Sequence, residues 1–541
     1  MAFKGELKRE MNLLDLTMAS VSGVIGSGWL LAAITSSTYA GPAAIISWII
    51  GGVFMLILAL PFIELSSAIP ESGSLARYPH YSHGSFTSLL MGWGLFLSYA
   101  VVPATEAEAA VQYANGYLPG LYSNNGTLTG IGILIASVLL IVFFVINYFG
   151  VRLFAKVNTT VTILKVIIPL GTALLFIFSA FHPGNFSEVS KGGFMPYGFQ
   201  GVLAAVSLGG IAFSYEGFRQ AIDLAGEGRN PQKNIPRAVI ISLVLSMVIY
   251  LLLQVAFIGA LTAGDLAHGW AKLNLSSPFA DLALSLNMGW LAIILYADAS
   301  YSPAGSGLVY TASAARVLWA IPKNGYGPKW LSHVSSKYLV PTSALWVGLV
   351  ISFLCLLPFP AWSELIGINT SFGVITYMMG PSSALVLRKT APNLRRLIKI
   401  KGLNWIGLIG FIFGGLIIYW TSWPSVGYVG LALFVGFLLF LYYYRKNHLP
   451  TRDIKAGLWF VAMMITMVLI SYLGSFGGIG WIQYPWDIVV VAVVCVFFYF
   501  WSVRSGYETE AIINLVASME EHNLTLDPSS ISDKHDFNQS F

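Results

Sequence analysis

Long apolar runs separated by short polar stretches set the pattern of this chain. Fourteen such runs occupy residues 12–38, 42–68, 86–115, 128–149, 155–180, 198–224, 236–262, 288–318, 339–359, 362–388, 403–421, 425–444, 455–474 and 484–503. Most reach the length of about 20 residues that a helix needs to cross a hydrocarbon layer about 30 Å thick. Their apolar positions are continuous rather than alternating, which favours helix over strand. A segment in lipid must also satisfy its own backbone hydrogen bonds, as a helix does. The pattern therefore predicts an all-α polytopic membrane protein, with its tightest joint at Trp423-Pro424.

Composition agrees. Of 541 residues, 56% are apolar and 10% charged, against about 25% charged in soluble proteins, and the mean hydropathy is +0.73. A soluble enzyme, a nucleic-acid binder and a disordered protein are excluded. The net charge of +5, from 29 basic and 24 acidic residues, looks like a binding surface until the charges are placed. With the N-terminus inside, 25 basic residues fall in inner segments, only Lys191 and Lys272 in outer loops, and Lys165 and Arg219 within runs. Basic residues collect on the cytoplasmic side, and one miscounted run would reverse every later loop. The expectation is a multi-pass protein of the cell membrane with both termini cytoplasmic. Met1–Glu10 lacks a signal-peptide pattern. Cys355 and Cys495 lie in apolar runs and imply no disulfide framework. His80 and His83 lack the further ligands a metal site needs. The polar tail from 504 to 541 predicts a short amphipathic helix over 508–519 and disorder beyond it.

Two runs are poor continuous helices. The first contains Gly23-Val24-Ile25-Gly26-Ser27-Gly28, and the sixth contains the stretch from Ser207 through Gly209-Gly210 to Gly217. They hold corresponding positions in two sets of five runs, and paired interruptions of this kind point to a transport site near the bilayer midplane. Unwound backbone frees N–H and C=O groups that only a cavity or a ligand can satisfy there. A half-helix N-terminus attracts a carboxylate, and freed carbonyls attract an ammonium group, so a zwitterionic amino acid suits both. Five is odd, so the two halves would have opposite topology. Close packing of the first glycine cluster through small residues is the competing explanation.

Several motifs resemble the amino acid–polyamine–organocation (APC) superfamily of transporters. They are Gly26-Ser27-Gly28, Glu64-Leu65-Ser66-Ser67-Ala68-Ile69-Pro70-Glu71-Ser72-Gly73, and Phe213-Ser214-Tyr215-Glu216-Gly217-Phe218 with Glu227-Gly228-Arg229-Asn230-Pro231 after it. Ala315-Arg316-Val317-Leu318-Trp319-Ala320 comes next, with Asn324-Gly325-Tyr326-Gly327-Pro328 behind it. The resemblance implies a LeuT-type fold. Residues 1–11 would be a cytoplasmic N-terminus, 12–180 the first five-helix repeat, and 198–388 the second, inverted one. Residues 403–503 would add four further helices before the cytoplasmic tail. It also implies secondary active transport by alternating access, without a cofactor. The substrate carboxylate would meet backbone N–H groups near Gly26, Ser27 and Gly28. Its amino group would meet carbonyls near Val24, Ile25, Phe213 and Tyr215, with Phe213 or Tyr215 as an aromatic lid.

The ionisable residues inside the runs carry the remaining chemistry. Lys165 lies nine residues after Lys156, about 14 Å deeper along a helix, and a charge at that depth is a functional candidate. Val157-Asn158 with Leu164-Lys165 resembles proton-coupled members, in which this lysine takes the place of sodium. Lys165 would contact span 1 carbonyls near Ser22 and a span 8 hydroxyl, Ser300 or Ser302, as a proton-linked switch. Asp298 is a second proton-exchanging or substrate-reading candidate. Glu216, apolar in many relatives, could bind a substrate amine, relay a proton or pair with Arg219. Arg219 could instead read an acidic side chain, and the run Tyr215-Glu216-Gly217-Phe218-Arg219-Gln220 resembles a subgroup that includes aspartate–proton symporters, which keeps acidic substrates open. Glu106 and Glu108 are two residues apart and cannot both line one cavity. Glu64 fits an inner-gate network. The expected function is amino acid permeation by proton symport, of neutral or acidic substrates. An exchanger or a non-transporting sensor of the same fold are the alternatives.

Overall fold

The computed structural model describes residues 11–526, except 72, 124–125, 150, 189, 191, 324–326, 336, 339, 358–360 and 448–449; the side chains of 74, 151–161, 323, 447 and 520–526 also lie outside the description. The side chains of Lys156, Val157 and Asn158 are thus outside the described residues, as are Lys191, Asn324-Gly325-Tyr326, the N-terminal ten residues and the tail beyond 526. Twenty α-helices are named in chain order, beginning with α1 (Leu13–Val24), α2 (Ser27–Ala40), α3 (Ala44–Ala68), α4 (Ser74–His83) and α5 (Ser85–Ala114). Next come α6 (Gly130–Phe149), α7 (Val151–Ser179), α8 (Gly198–Ser207), α9 (Ile211–Tyr215), α10 (Arg219–Asp223) and α11 (Pro231–Ala260). After them stand α12 (Pro278–Ser285), α13 (Gly289–Lys323), α14 (Thr342–Leu356) and α15 (Trp362–Thr390). The last are α16 (Leu403–Trp420), α17 (Ser425–Asn447), α18 (Thr451–Leu473), α19 (Trp486–Ser505) and α20 (Glu510–Leu526).

The protein is an all-α polytopic membrane protein, and every apolar run of the sequence falls on helix. Nine helical stretches among the described residues are long and apolar enough to cross a bilayer, α2 and α3 counting as one, or ten if the bent pair 198–207 and 211–223 is a single span. The long helices outside that number, α13 and α15, are less apolar because they carry the polar interior: Asp298 and Ser306 on one, Asn369 and Thr370 on the other, all wholly buried. Both broken runs are broken in the structure. The first stops at Val24 and restarts at Ser27. The sixth stops at Ser207, passes through Gly210 in the left-handed region (φ 81°), and resumes at a bend of 47°. A side chain at Gly210 would meet both that backbone strain and Trp362, 2.7 Å from where its Cβ would stand.

Helices α16 and α17, beyond α15, pack directly on the preceding core. Phe54 of α3 stacks on Phe413 of α16 with centroids 3.5 Å apart. The Trp93 indole of α5 donates to the Ala432 carbonyl of α17 at 2.9 Å, and Ser207 donates to the Ile417 carbonyl at 2.7 Å. The outward face of α6, with Ile131, Leu134 and Val138 exposed, is the apolar surface a bilayer would cover.

Where most basic side chains gather, α4 is held by the chain leaving α19. Tyr507 N–H donates to the Ser82 carbonyl at 3.0 Å, Thr509 Oγ1 to the Tyr81 carbonyl at 2.9 Å, and the Tyr507 hydroxyl to Asp453. The expected amphipathic segment is helical, but from Glu510 onward; residues 506–509 before it are this strap. His83 is wholly buried beneath it. Its Nε2 donates to the Ser502 carbonyl at 2.9 Å, and its Nδ1 lies 2.8 Å from Ser82 Oγ.

Burial pushes the His83 imidazole down to about 4, and burial with the nearby Arg77 guanidinium does the same to His80. Both rings are neutral in the folded protein, whereas the unfolded chain takes up protons near pH 6.5. Their contribution to stability is therefore complete above about pH 6.5 and is lost as pH falls toward about 4. The unfolding midpoint of the detergent-solubilised protein is expected to fall over that window. His83→Gln should flatten the fall in part, and the double variant with His80→Gln further; an unchanged slope in both would refute this origin.

Candidate functional site

The break in the first run exposes three carbonyls in sequence, and the structure fills each. The Ser22 carbonyl accepts from Lys165 Nζ at 3.0 Å and from Ser306 Oγ at 2.8 Å. The Gly23 carbonyl accepts from the Tyr310 hydroxyl at 3.4 Å, and the Val24 carbonyl from Tyr250 at 2.8 Å. Lys165 Nζ also donates to Ser306 Oγ at 2.9 Å. The ammonium group thus joins α1, α7 and α13 at one point, fully buried. The hydroxyl is not Ser300 or Ser302, as expected from sequence. Ser300 is exposed on α13 and bonds its own helix at Tyr296. Ser306, one turn past Ser302, is the residue that faces the break.

Beyond the break, one backbone N–H group meets a carboxylate of the protein itself. Ser27 N–H, at the start of α2, donates to Glu106 Oε2 at 2.7 Å. A protein carboxylate therefore holds the position in which the N-terminal end of a helix favours an anion. Gly26 is what lets it approach: a Cβ there would run into Glu106 Oε1 and stand 2.7 Å from Ser306 Oγ. Trp362 Nε1 donates to Ser27 Oγ at 2.9 Å, and Phe213 stands edge-on to Trp362, centroids 6.1 Å apart. Of the two candidate lids, Phe213 is the one at the site. Tyr215 turns away, donating to the Trp48 carbonyl at 3.3 Å and packing edge-on to Trp48 and Tyr250. Ser27, Glu106, Lys165 and Phe213 are all buried.

The two broken runs touch directly. A Cβ on Gly28 would run into Ser214 Oγ, and one on Gly217 into the backbone of Gly23 and Val24. Ser20 Oγ accepts from Ala221 N–H at 3.0 Å and donates to the Phe218 carbonyl at 3.2 Å. Ser214 itself donates to the Gly210 carbonyl at 2.7 Å, closing the turn at the break.

The other charged candidates lie in four further places. Asp298 is two turns before Ser306 on α13, where Trp29 Nε1 donates to it at 3.1 Å. Glu216 and Arg219 pair with each other at 3.1 Å, below the site. Glu64 lies apart at the basic end, bidentate to Arg388 at 2.7 and 2.5 Å and accepting Ile400 N–H at 2.8 Å. Glu108 is buried near the start of α15, both oxygens without a hydrogen-bond partner among the described residues. Glu106 and Glu108 thus face different sides of α5, as their i,i+2 spacing requires. What sequence reasoning did not single out is Tyr250, Tyr310 and Trp362; they are aromatic residues in aromatic-rich runs, and nothing in their spacing marks them.

Residues 11–444 match the family described as amino acid permease. The chain belongs to that family. This permease is 44% identical over 516 residues to the glutamate/serine transporter AimA of Bacillus subtilis (strain 168), covering 93% of this chain and 95% of the relative. It is 35% identical over 522 residues to the aspartate-proton symporter of the same organism, covering 95% and 99%. To the branched-chain amino acid permease BcaP, also of that organism, it is 27% identical over 458 residues, covering 82% and 94%. The permease is thus a membrane transporter of amino acids and not an enzyme.

The contact between the broken helices gives a sharp expectation. Gly28→Val should lower amino acid uptake more than tenfold while leaving the protein in the membrane, because its branched side chain must displace Ser214. Adding Ser214→Gly should restore at least part of the activity, measured as uptake per folded transporter by fluorescence-detected size exclusion. Full activity of the single variant would show that the two helices do not need this approach.

Proposed function

We propose that this permease is a proton-coupled symporter of amino acids in the cell membrane. It would work by alternating access between two inverted five-helix repeats, 12–180 and 198–388, with both termini cytoplasmic. One observation carries the coupling assignment: Lys165 Nζ sits on the Ser22 carbonyl and Ser306 hydroxyl, an oxygen nest of the kind a small monovalent cation would occupy. A lysine there supplies the positive charge from the protein. Losing its proton would remove the positive charge from the Ser22 and Ser306 oxygens and weaken the tie of α1 to α7 and α13. Proton binding would thereby be linked to the packing of the broken helix. The name of one relative, aspartate-proton symporter, supports the same ion. The printed substrates of the relatives, glutamate, serine and aspartate, support small neutral or acidic amino acids here.

The substrate's α-carboxylate would take the Ser27 N–H now held by Glu106, beside Gly26 and Gly28. Its ammonium would meet backbone carbonyls of Ile25, Phe213 and Tyr215, and Phe213 with Trp362 would close over it. Val24 would contribute by shape, since Tyr250 already holds its carbonyl. Ser214, Glu216 and Asp298 complete the polar lining, and Glu64 with Arg388 holds the inner end.

The test is uptake by the purified protein in liposomes, with labelled amino acids and an inward proton gradient, with and without sodium. Accumulation that needs the proton gradient and ignores sodium is expected. Lys165→Gln should lose gradient-driven accumulation by more than tenfold while keeping exchange with substrate preloaded inside. Equal gradient-driven uptake by Lys165→Gln would refute the coupling role. Exchange without net uptake in the parent protein would make it an antiporter.

A further inference from the structure

Among the described residues, two carboxylate–arginine pairs with a buried carboxylate are built very differently. Glu64 and Arg388 are bidentate, and both Glu64 oxygens carry further bonds or charges, from Ile400 N–H and from Arg396 Nε at 3.8 Å. Glu216 and Arg219, more deeply buried at 1% and 0% side-chain exposure, meet through one oxygen only. Oε2 faces Arg219 Nη2 and accepts from Asn369 Nδ2 at 3.0 Å. Oε1 has no hydrogen-bond partner among the described residues, nor do Arg219 Nε and Nη2. Arg219 Nη1 donates to Ser98 Oγ at 3.0 Å, and its guanidinium lies over the Tyr99 ring, 4.2 Å from its centroid, and beside Tyr310.

An arginine this buried is normally filled by a fork of two parallel bonds to one carboxylate. Here the fork is open. Glu216 is three residues ahead on the same broken run and reaches the guanidinium off-axis. The open fork is also in register with the substrate site. Ser98 is eight residues from Glu106 along α5, about 12 Å, and Asn369 is seven from Trp362 along α15. That distance is the reach of an extended acidic amino acid bonded at both ends.

We propose that Arg219 is the receptor for the side-chain carboxylate of an acidic substrate, and that Glu216 is its tethered stand-in between cycles. The proposal rests on the reading of this protein as a proton-coupled amino acid transporter. Glu216 takes up a proton from the outer solution and swings off Arg219, whose fork then accepts the substrate carboxylate. After the substrate leaves on the inner side, Arg219 recaptures Glu216 and the proton is released inward. No bond other than the O–H of Glu216 forms or breaks, and this exchange moves one proton with each acidic substrate, in addition to the proton linked to Lys165. A neutral substrate such as serine does not need the exchange. The groups facing the pair are Tyr99 from α5, Tyr310 from α13, Tyr377 from α15 and Asp223 at the end of α10; none of these brings a second cation.

Uptake of labelled aspartate, glutamate and serine is measured in liposomes at external pH 5.5 to 8 for the parent, Arg219→Gln, Glu216→Gln and the double variant. Arg219→Gln is expected to raise the KM for aspartate and glutamate at least tenfold more than that for serine. In the parent, aspartate uptake should fall more steeply with rising pH than serine uptake; in Glu216→Gln the two profiles should coincide. If Arg219→Gln does not fold because it strands Glu216, the double variant removes both charges together, and should fold with the same loss of acidic selectivity. An equal loss for all three substrates in the folded variants would make the pair structural and overturn the proposal. So would unchanged aspartate uptake without Arg219. Failure of the parent to take up any amino acid would strike the transport reading itself.

Discussion

A helix that unwinds inside a membrane must find partners for the carbonyls it frees, and this structure is arranged around that obligation. The carbonyls of Ser22, Gly23 and Val24 receive an ammonium group and hydroxyls from α7, α11 and α13. The donors arrive from three different helices, so the break cannot exist without the bundle around it, and the bundle is fixed by the break. Buried polar groups left unmade are costly, which is why one lysine and one serine can set the relative positions of three helices. The same obligation on the N–H side is met by Glu106, which reaches Ser27 from α5.

Most of the architecture was legible in the sequence because its cause is local. Apolar run length depends on the lipid, not on partners, and every run became helix. The two breaks were legible for the same reason: Gly26 and Gly210 are needed where they stand, one for close approach and one for a left-handed turn. Lys165 was legible because a charge so far from either end has few explanations.

The site's detail was not legible, because it depends on rotation about helix axes. Ser302 and Ser306 are one turn apart and chemically identical; only packing decides which faces Ser22. Phe213 and Tyr215 are two apart on a segment whose geometry changes at Gly210, and the short helical turn sends one toward Trp362 and the other beneath Trp48. Glu106 could be assigned to the interior but not to an N–H group 79 residues earlier. Such contacts are long-range in sequence, and no periodicity encodes them.

The strap at residues 506–509 has a mechanical meaning. Because Tyr507 and Thr509 hang from the backbone of Ser82 and Tyr81, the last described helix is yoked to α4, which joins two core helices of the first half. Met11 is pinned in the same manner to the loop after the sixth run, through Glu227 and Arg229. Each end of the described chain is therefore tied to a different element, α4 at one end and the loop before α11 at the other. A pair of probes placed near residues 11 and 510 would register the movement that the proposed alternating access requires, without touching the interior at all.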